Sequence, residues 1–314
     1  MSRAFVFPGQ GAQTIGMGKA LADAYPAARA VFDEVDDALG EKLSDLIWEG
    51  SQDDLTLTQN AQPALMATSI AALRALEAEG VTIDAAQFVA GHSLGEYSAL
   101  AAAGALSVTD TARLLRTRGE AMQKAVPVGI GAMAAILGLD FEAVQGVAKD
   151  AAMGEVCQAA NDNDPGQVVV SGHADAVARA VDIAKERGAK RAMLLPVSAP
   201  FHCALMEPAA AVMAEALNKV DLARPAVPLV ANVVAEAISD PGTIRSLLVN
   251  QVTGSVRWRE SVMFMAREGV TEIWEIGAGK ALSGMVRRIE RDIACRAVGT
   301  PEDVVAAAAT LNQS

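Results

Sequence analysis

A serine between two glycines, where a strand pattern gives way to a helix pattern, is the first candidate for chemistry. The motif is Gly91-His92-Ser93-Leu94-Gly95. The apolar residues 88–90 before it predict a strand, and residues 96–103 after it predict a helix. This is the setting of a nucleophile elbow, a sharp turn that lifts the serine hydroxyl above a sheet. A glycine–serine turn with a purely structural role would have the same sequence pattern, but the strand–helix context favours a catalytic serine.

A serine nucleophile needs a base, and a histidine is the usual one near neutral pH. The chain has three histidines. His92 adjoins the serine on the tight turn, where its side chain should point away from the hydroxyl. His173 directly precedes a helix pattern, where capping or exposure is the simpler interpretation. His202 is left, and we predict that it is the base.

The group that would orient this imidazole is not marked by a motif. Three acidic residues come into question, but each is more typical of a surface or capping position: Asp221, Asp240 and Glu275. Because the role is to fix the tautomer and the ring plane, a backbone carbonyl or an amide could fill it instead of an acid. Both alternatives stay open on the residues alone.

An oxyanion hole needs two backbone N–H groups aimed at one point. The N–H of Leu94, directly after the nucleophile, is one candidate. The second must come from a loop at the same end of the sheet, and Gly9-Gln10-Gly11 follows the first predicted strand. Gln10 is therefore the second candidate, with a glycine turn that binds nothing as the alternative.

Three arginines lie on the helix pattern that follows the elbow: Arg113, Arg116 and Arg118. Most helical arginines keep their guanidinium in water, and we expect this for two of the three. A buried one would suit the recognition of a carboxylate, because its planar fork binds two oxygens at once.

Composition limits the function classes. The chain has 314 residues, 52% hydrophobic and 20% charged, which suffices for one large α/β domain or for two domains. A net charge of −12 argues against nucleic acid as the main partner. The widely spaced Cys157, Cys203 and Cys295 fit neither a zinc site nor a disulfide framework and are typical of a reducing cytoplasm. With no visible targeting segment and no apolar run near the elbow long enough for a bilayer, we expect a soluble cytoplasmic protein without a membrane partner.

The order of elements predicts an α/β fold. Strand patterns alternate with helix patterns on both sides of a central region, so the larger part should hold a mainly parallel sheet. We expect one long helix over Met17–Leu39, bent at Pro26. A second helix should begin at Gln62-Pro63, with the proline in its first turn. A third should begin after Ser107, which opens a capping box.

The central region has a different rhythm, after a break rich in Pro and Gly at 127–131. Strands are predicted at 132–139, 156–160, 167–171 and 192–197, helices at 141–152 and 174–188, and a turn at 161–166. The order βαββαβ is that of a ferredoxin-like unit. We therefore predict a catalytic domain formed by 1–127 and 199–314, with an inserted domain at 128–198.

Five motifs in order resemble the malonyl-CoA:acyl carrier protein transacylases of type II fatty acid synthesis. They are Gly9-Gln10-Gly11-Ala12-Gln13, Gly91 to Glu96, Arg116-Thr117-Arg118-Gly119, Asn161 to Gly172, and Ala199-Pro200-Phe201-His202. The resemblance extends over nearly the whole chain. It implies an α/β-hydrolase-like large domain with a ferredoxin-like insert.

The resemblance also implies roles for individual residues. Ser93 would be the nucleophile, His202 the base, and the main-chain carbonyl of Gln251 would hold the imidazole. Arg118 would bind the malonyl carboxylate, and the N–H groups of Gln10 and Leu94 would form the oxyanion hole. The remaining expected substrate-binding positions are Gln62, Met122, Phe201, Asn161 and Asn163.

The implied reaction is a ping-pong transfer of malonyl from malonyl-CoA to the phosphopantetheine thiol of a holo acyl carrier protein. It needs no metal and no cofactor beyond the coenzyme A thioester and the arm on the partner. We expect a monomer. Alternatives are a serine esterase or thioesterase, a malonyl loader for a polyketide synthase, and a non-catalytic module that binds the carrier protein.

An acyl carrier protein is expected to be acidic, so net charge cannot attract it and a local basic patch is required. Two clusters are candidates: Lys185, Arg187, Lys190 and Arg191 in the insert, and Arg287, Arg288 and Arg291 near the end of the chain. Ordinary solvated charge is the alternative for each of them.

Overall fold

The computed structural model describes residues 2–197 and 199–311. The first part comprises β1 (Arg3–Phe7), α1 (Lys19–Ala24), α2 (Pro26–Leu39), α3 (Leu43–Glu49), α4 (Gln52–Thr56), α5 (Thr58–Ala78), β2 (Phe88–Gly91), α6 (Gly95–Ala102) and α7 (Val108–Lys124). The central part comprises β3 (Gly131–Leu137), α8 (Phe141–Ala152), β4 (Cys157–Asp164), β5 (Gln167–His173), α9 (Ala174–Glu186) and β6 (Arg191–Leu194). The last part comprises α10 (Glu207–Leu217), β7 (Leu229–Ala231), β8 (Glu236–Ile238), α11 (Pro241–Thr253), α12 (Trp258–Arg267), β9 (Glu272–Ile276), α13 (Ala281–Ile289), β10 (Ala294–Val298) and α14 (Pro301–Leu311).

The first and last parts share a six-stranded sheet in the order β10-β9-β1-β2-β7-β8. All neighbours pair in parallel except β7 and β8. β1 and β2 are buried along their whole length, because helices cover both faces of the sheet. On β1, Phe5 and Phe7 belong to the apolar cluster on one face, and Ala4 and Val6 to the cluster on the other. The predicted α/β class with a mainly parallel sheet is confirmed.

The central part forms a separate antiparallel sheet in the order β4-β5-β3-β6. α8 and α9 pack on it and enclose a small core of their own, which includes Val144, Val147 and Val177. The predicted ferredoxin-like βαββαβ order is therefore present. The domain limits at 127/128 and 198/199 stay a prediction, since residue 198 lies outside the described residues, as do 312–314 at the end of the large domain.

Two helix predictions were wrong. Residues 17–39 form two helices rather than one bent helix, because Pro26 begins α2 and its preceding residue, Tyr25, is extended. α5 begins at Thr58, so Pro63 lies inside it rather than in its first turn. The proline costs this helix one backbone hydrogen bond, which the near-complete burial of the segment outweighs. The short helices α3 and α4 were not predicted, although Ser51-Gln52-Asp53-Asp54 has a capping pattern and Ser51 caps α4.

The predicted turn at 161–166 was also wrong over most of its length. β4 continues through Asp164, and only Pro165 and Gly166 lie between it and β5. The outer edge of β4 bonds to the segment between α11 and α12, because the N–H of Asp162 donates to the carbonyl of Val256 (2.9 Å). The strand also has side-chain partners outside the small sheet, since Arg259 donates to Asp162 and Arg288 to Asp164. These partners are far away in the sequence, so the sequence pattern alone indicated a turn.

Among the helices that the structure describes in residues 2–197 and 199–311, none combines the length and the hydropathy that a membrane crossing requires.

Candidate active site

The serine motif forms a sharp turn between β2 and α6. Ser93 has a φ of 54°, in the left-handed region, as an elbow requires. The flanking glycines are needed for contact: a Cβ on Gly91 would lie 1.9 Å from the backbone carbon of Gly95, and one on Gly95 would lie 2.2 Å from the carbonyl oxygen of Phe7. The turn presents Ser93 to a cavity of about 470 Å³ between the two sheets.

His202 meets Ser93 although the two are far apart in the sequence. Its Nε2 lies 2.8 Å from the Ser93 hydroxyl oxygen, and its Nδ1 lies 2.9 Å from the main-chain oxygen of Gln251. A carbonyl only accepts, so Nδ1 carries the proton and Nε2 is free to accept the hydroxyl proton. Burial lowers the pKa of His202 to about 3, with the nearby Arg118 charge as the second cause. The imidazole is therefore neutral near pH 7.

The other two histidines face elsewhere. His92 turns away from Ser93, and its Nε2 lies 2.8 Å from Oδ1 of Asn163 on the small sheet. His173 occupies the N-cap position of α9, where its side chain makes no cap bond and instead accepts from the N–H of Val156 (2.9 Å). The elimination that singled out His202 thus agrees with where each side chain lies.

The backbone at the candidate oxyanion hole comes from two loops. Gln10 and Leu94 both line the cavity, and within the described residues neither N–H has a hydrogen-bond acceptor. The loop of Gln10 approaches the elbow closely, since a Cβ on Gly9 would lie 2.6 Å from the carbonyl oxygen of His92. The N–H of Ser93 itself is occupied, because it donates to Oδ1 of Asn232 (2.9 Å).

Of the three arginines on α7, only Arg118 is buried. Its guanidinium donates to the side-chain oxygens of Gln62 (2.7 Å), Gln251 (2.8 Å) and Ser93 (3.1 Å). Arg113 is exposed and Arg116 pairs with Glu41 away from the cavity. The motif glycine beside Arg118 lets α7 approach α5, since a Cβ on Gly119 would lie 2.5 Å from the Cα of Gln59.

The remaining predicted substrate-binding residues all line the same cavity: Gln62, Met122, Phe201, Asn161 and Asn163. Gln62 Nε2 lies 3.7 Å from the Met122 sulfur, which places both beside Arg118. Asn161 and Asn163 come from β4, so the small sheet supplies one wall. The predicted set is therefore one cluster in space, and no member lies elsewhere.

Comparison with known proteins gives the family. Residues 4–296 match the family model described as the acyl transferase domain. The chain is 50% identical to the malonyl CoA-acyl carrier protein transacylase of Bacillus subtilis (strain 168), over 99% of this chain and 97% of that protein. The chain belongs to the malonyl CoA-acyl carrier protein transacylase family.

Solved structures agree with this family. An acyl-carrier-protein-S-malonyltransferase from Bartonella henselae has a TM-score of 0.97 at 58% identity, over 99% of this chain and 100% of that one. A malonyl-transacylase in complex with a type II polyketide acyl-carrier protein has a TM-score of 0.96 at 42% identity, over 99% of this chain and 100% of that one. The fold of this family member is thus the transacylase fold along its length.

Three groups in the transacylase site were not found from the sequence. Gln251 was expected for its main-chain carbonyl, but its side chain also lies in the site. Glu96 was seen only as part of a motif, and Asn232 carried no signal at all. Asn232 braces the elbow at both ends, since it accepts from the N–H of Ser93 and donates to the carbonyl of Gly91 (2.7 Å). Glu96 is buried beneath it, and burial raises the pKa of this carboxyl to about 7.

Proposed function

We propose that this chain transfers a malonyl group from malonyl-CoA to the phosphopantetheine thiol of an acyl carrier protein, supplying fatty acid synthesis. One observation carries the proposal: the Ser93 hydroxyl lies 2.8 Å from a neutral imidazole and 3.1 Å from a buried guanidinium. The hydroxyl oxygen of Ser93 thus contacts both a base and a group that can bind a carboxylate. The relatives' names add the identity of the acyl donor and acceptor.

In the first half-reaction, Nε2 of His202 takes the proton of the Ser93 hydroxyl as its oxygen attacks the thioester carbonyl. The resulting oxyanion is stabilised by the N–H groups of Gln10 and Leu94. The carbon–sulfur bond then breaks, and the imidazolium returns its proton to the departing coenzyme A sulfur. The malonyl group remains as an ester on Ser93.

Arg118 holds the free carboxylate of this ester, because a guanidinium binds two carboxylate oxygens at once. In the second half-reaction, His202 takes the proton of the phosphopantetheine thiol, and the sulfur attacks the ester carbonyl. The bond to Ser93 breaks, and its oxygen regains the proton from His202. The carbonyl of Gln251 keeps the ring in one tautomer throughout.

Each of these steps uses groups of the chain and of its two substrates, so we propose a reaction without a cofactor. We also propose a cytoplasmic monomer. The compartment is supported by the three free cysteines, Cys157, Cys203 and Cys295.

Incubation with malonyl-CoA and a holo acyl carrier protein, followed by the mass of both proteins, tests the proposal. We expect a malonyl adduct on this chain that Ser93→Ala abolishes, and its transfer to the carrier. Free malonate as the sole product would instead indicate an esterase or thioesterase. Since one similar structure holds a polyketide carrier, carriers of both pathways should be compared; the faster one assigns the pathway.

A further inference from the structure

The site contains two buried opposite charges that do not touch. Arg118 and Glu96 are each 1% exposed. Among the described residues, neither forms an ion pair within 4 Å. The side chain of Gln251 lies between them: its Oε1 accepts from Nη2 of Arg118 (2.8 Å), and its Nε2 donates to Oε2 of Glu96 (2.7 Å).

The orientation of this amide is fixed by its surroundings. Its Nε2 faces two further acceptors, the main-chain oxygen of Ser93 (2.9 Å) and Oδ1 of Asn232 (3.2 Å). Its Oε1 faces a guanidinium, which only donates. A flipped amide would oppose donor to donor and acceptor to acceptor, so a single orientation satisfies both ends.

A buried guanidinium needs a compensating charge, because an unpaired buried ion is strongly unfavourable. A carboxylate in direct contact would supply it, but would also occupy the fork that a substrate carboxylate needs. The hydrogen-bond acceptors of Arg118 among the described residues are all neutral, and its Nε–H has no acceptor, so N–H groups remain for a ligand.

We propose that Glu96 is the counter-charge of Arg118, and that the side chain of Gln251 holds it one amide away so that the guanidinium stays open to the acyl carboxylate. Glu96 and Gln251 are positioning residues that set the preference for a charged acyl group. The inference rests on the proposed function, in which Arg118 binds the malonyl carboxylate.

Glu96 is ionised at an assay pH of 8, although its burial opposes the charge. It lies in the first turn of α6, where the helix dipole favours a negative charge. Burial raises the pKa of this carboxyl to about 7 and that of the neighbouring Tyr97 to about 12, so at pH 8 the carboxylate is charged and the phenol is neutral.

A double variant that exchanges the two side chains, E96Q/Q251E, tests the proposal. It keeps the net charge and the main-chain carbonyl that holds His202, but it places the carboxylate directly on Arg118. At pH 8, we expect the rate of malonyl ester formation on Ser93 to fall by about 30-fold, the cost of a lost charged hydrogen bond. Acetyl ester formation from acetyl-CoA should fall by about tenfold less, because acetyl carries no carboxylate to bind. Both substrates share part of the loss, since Q251E also removes the donor to the main-chain oxygen of Ser93 and to Oδ1 of Asn232.

The single variant E96Q should change the binding of malonyl-CoA in the opposite direction. It removes the anion and leaves the shape of the side chain, so Arg118 attracts the malonyl carboxylate more strongly. We expect KM for malonyl-CoA to fall by about fivefold relative to KM for acetyl-CoA, and kcat for malonyl transfer to fall with it. Asp36→Asn is the matched control, since Asp36 is another buried carboxylate, bound to Ser44 outside the cavity; it should leave both substrates unaffected.

A wild-type malonyl-to-acetyl ratio in the exchanged variant would overturn the proposal. An equal loss of both substrates would also overturn it, because Glu96 and Gln251 would then support the elbow rather than the charge. If one variant does not fold, the sign of the other decides. Wild-type protein that forms no malonyl ester would refute the proposed function instead, so the two failures are distinguishable.

Discussion

At the scale of single residues, the site joins a strained nucleophile, a neutral base and a buried cation. Ser93 and His202 both have a positive φ (54° and 59°), which is uncommon for residues other than glycine. Both are held in place by residues far along the chain, through Asn232 and the carbonyl of Gln251. A positive φ at these two residues costs conformational free energy, and such strain is typical of functional sites, where the side chains must meet.

Replacing Arg118 should change which acyl group is accepted. In Arg118→Ala, we expect malonyl loading to fall by about 30-fold or more, since the substrate carboxylate loses a charged hydrogen-bond partner. Acetyl loading should persist or improve. The mass of the acyl-enzyme after incubation with each thioester measures both. Arg113→Ala, an exposed arginine on the same helix, is the control, and an unchanged preference in R118A would remove the arginine from acyl recognition.

The low pKa of His202 predicts the acid side of the pH profile. Its pKa of about 3 lies below the ordinary value of 6.5, so the neutral base persists until the pH falls toward 3. Labelling of Ser93 by an uncharged fluorophosphonate should therefore stay constant from pH 8 to 5. An ordinary histidine would lose about 30-fold at pH 5. E96Q should be measured alongside, because Glu96 titrates near 7; a decline centred on 6.5 in both proteins would contradict the prediction.

At the scale of elements, contacts between helices decide where the polar groups end up. α7 begins at the predicted capping residue, with Ser107 accepting from the N–H of Asp110 (3.0 Å). It packs on α5, the helix that carries Gln62, through Gly119. Gln62 and Arg118 can bond only because the two backbones come this close.

A side chain at this contact should separate the helices. In Gly119→Ala, the new Cβ would lie 2.5 Å from the Cα of Gln59, a backbone atom that cannot yield cheaply. We expect a loss of about 1–3 kcal/mol in the free energy of unfolding and a preferential loss of malonyl loading.

Gly146→Ala is the matched control for this helix glycine. It also lies inside a helix, α8, and its nearest neighbour would be 3.4 Å away at the end of the Arg187 side chain. It should be neutral or stabilising by about 0.5–1 kcal/mol. Denaturant unfolding of both variants measures the difference, and a stability of G119A equal to that of G146A would show that the contact tolerates a methyl group.

At the scale of the whole molecule, the small sheet is tied to the large domain along β4. Asp162 pairs with Arg259 of α12 (2.9 Å), and Asp164 pairs with Arg288 of α13 (2.7 Å). Both aspartates are buried at these contacts. The cavity lies between the two sheets, so these pairs connect the parts of the chain that form its walls.

Ion pairs within the two basic clusters also bear on which residues could dock the carrier protein. Arg288, Lys185 and Arg187 already have acidic partners. Four exposed cations of the two clusters make no ion pair within the described residues: Arg287, Arg291, Lys190 and Arg191. We favour Lys190 and Arg191 for their position. They precede the 195–197 segment that lines the cavity, where an arriving phosphopantetheine arm must pass.

Reversing these two charges should weaken the approach of an acidic carrier. In K190E/R191E, we expect KM for the carrier protein to rise by about tenfold at low salt, with a smaller effect at high salt. The K185E/R187E variant, whose residues are already paired, is the control. Steady-state transfer at varied carrier concentration measures both, and an unchanged KM in K190E/R191E would place docking elsewhere.

The sequence by itself determined the elements whose cause is local. The elbow follows from two glycines, between a strand and a helix, whose positions leave no room for a Cβ. Helix α8 follows from short-range periodicity, with the bounds that the structure has. The histidine count left one base, and the motif order gave the family.

Only the tertiary structure decided how the buried polar groups pair. Residues 161–164 look like a turn because they are polar, yet they form a strand because Arg259 and Arg288, 97 and 124 positions away, meet their carboxylates. Asn232 and the side chain of Gln251 reach Ser93 across 139 and 158 positions. A buried hydrogen-bond network depends on which side chains the packed elements bring together, and no local pattern in the chain records that.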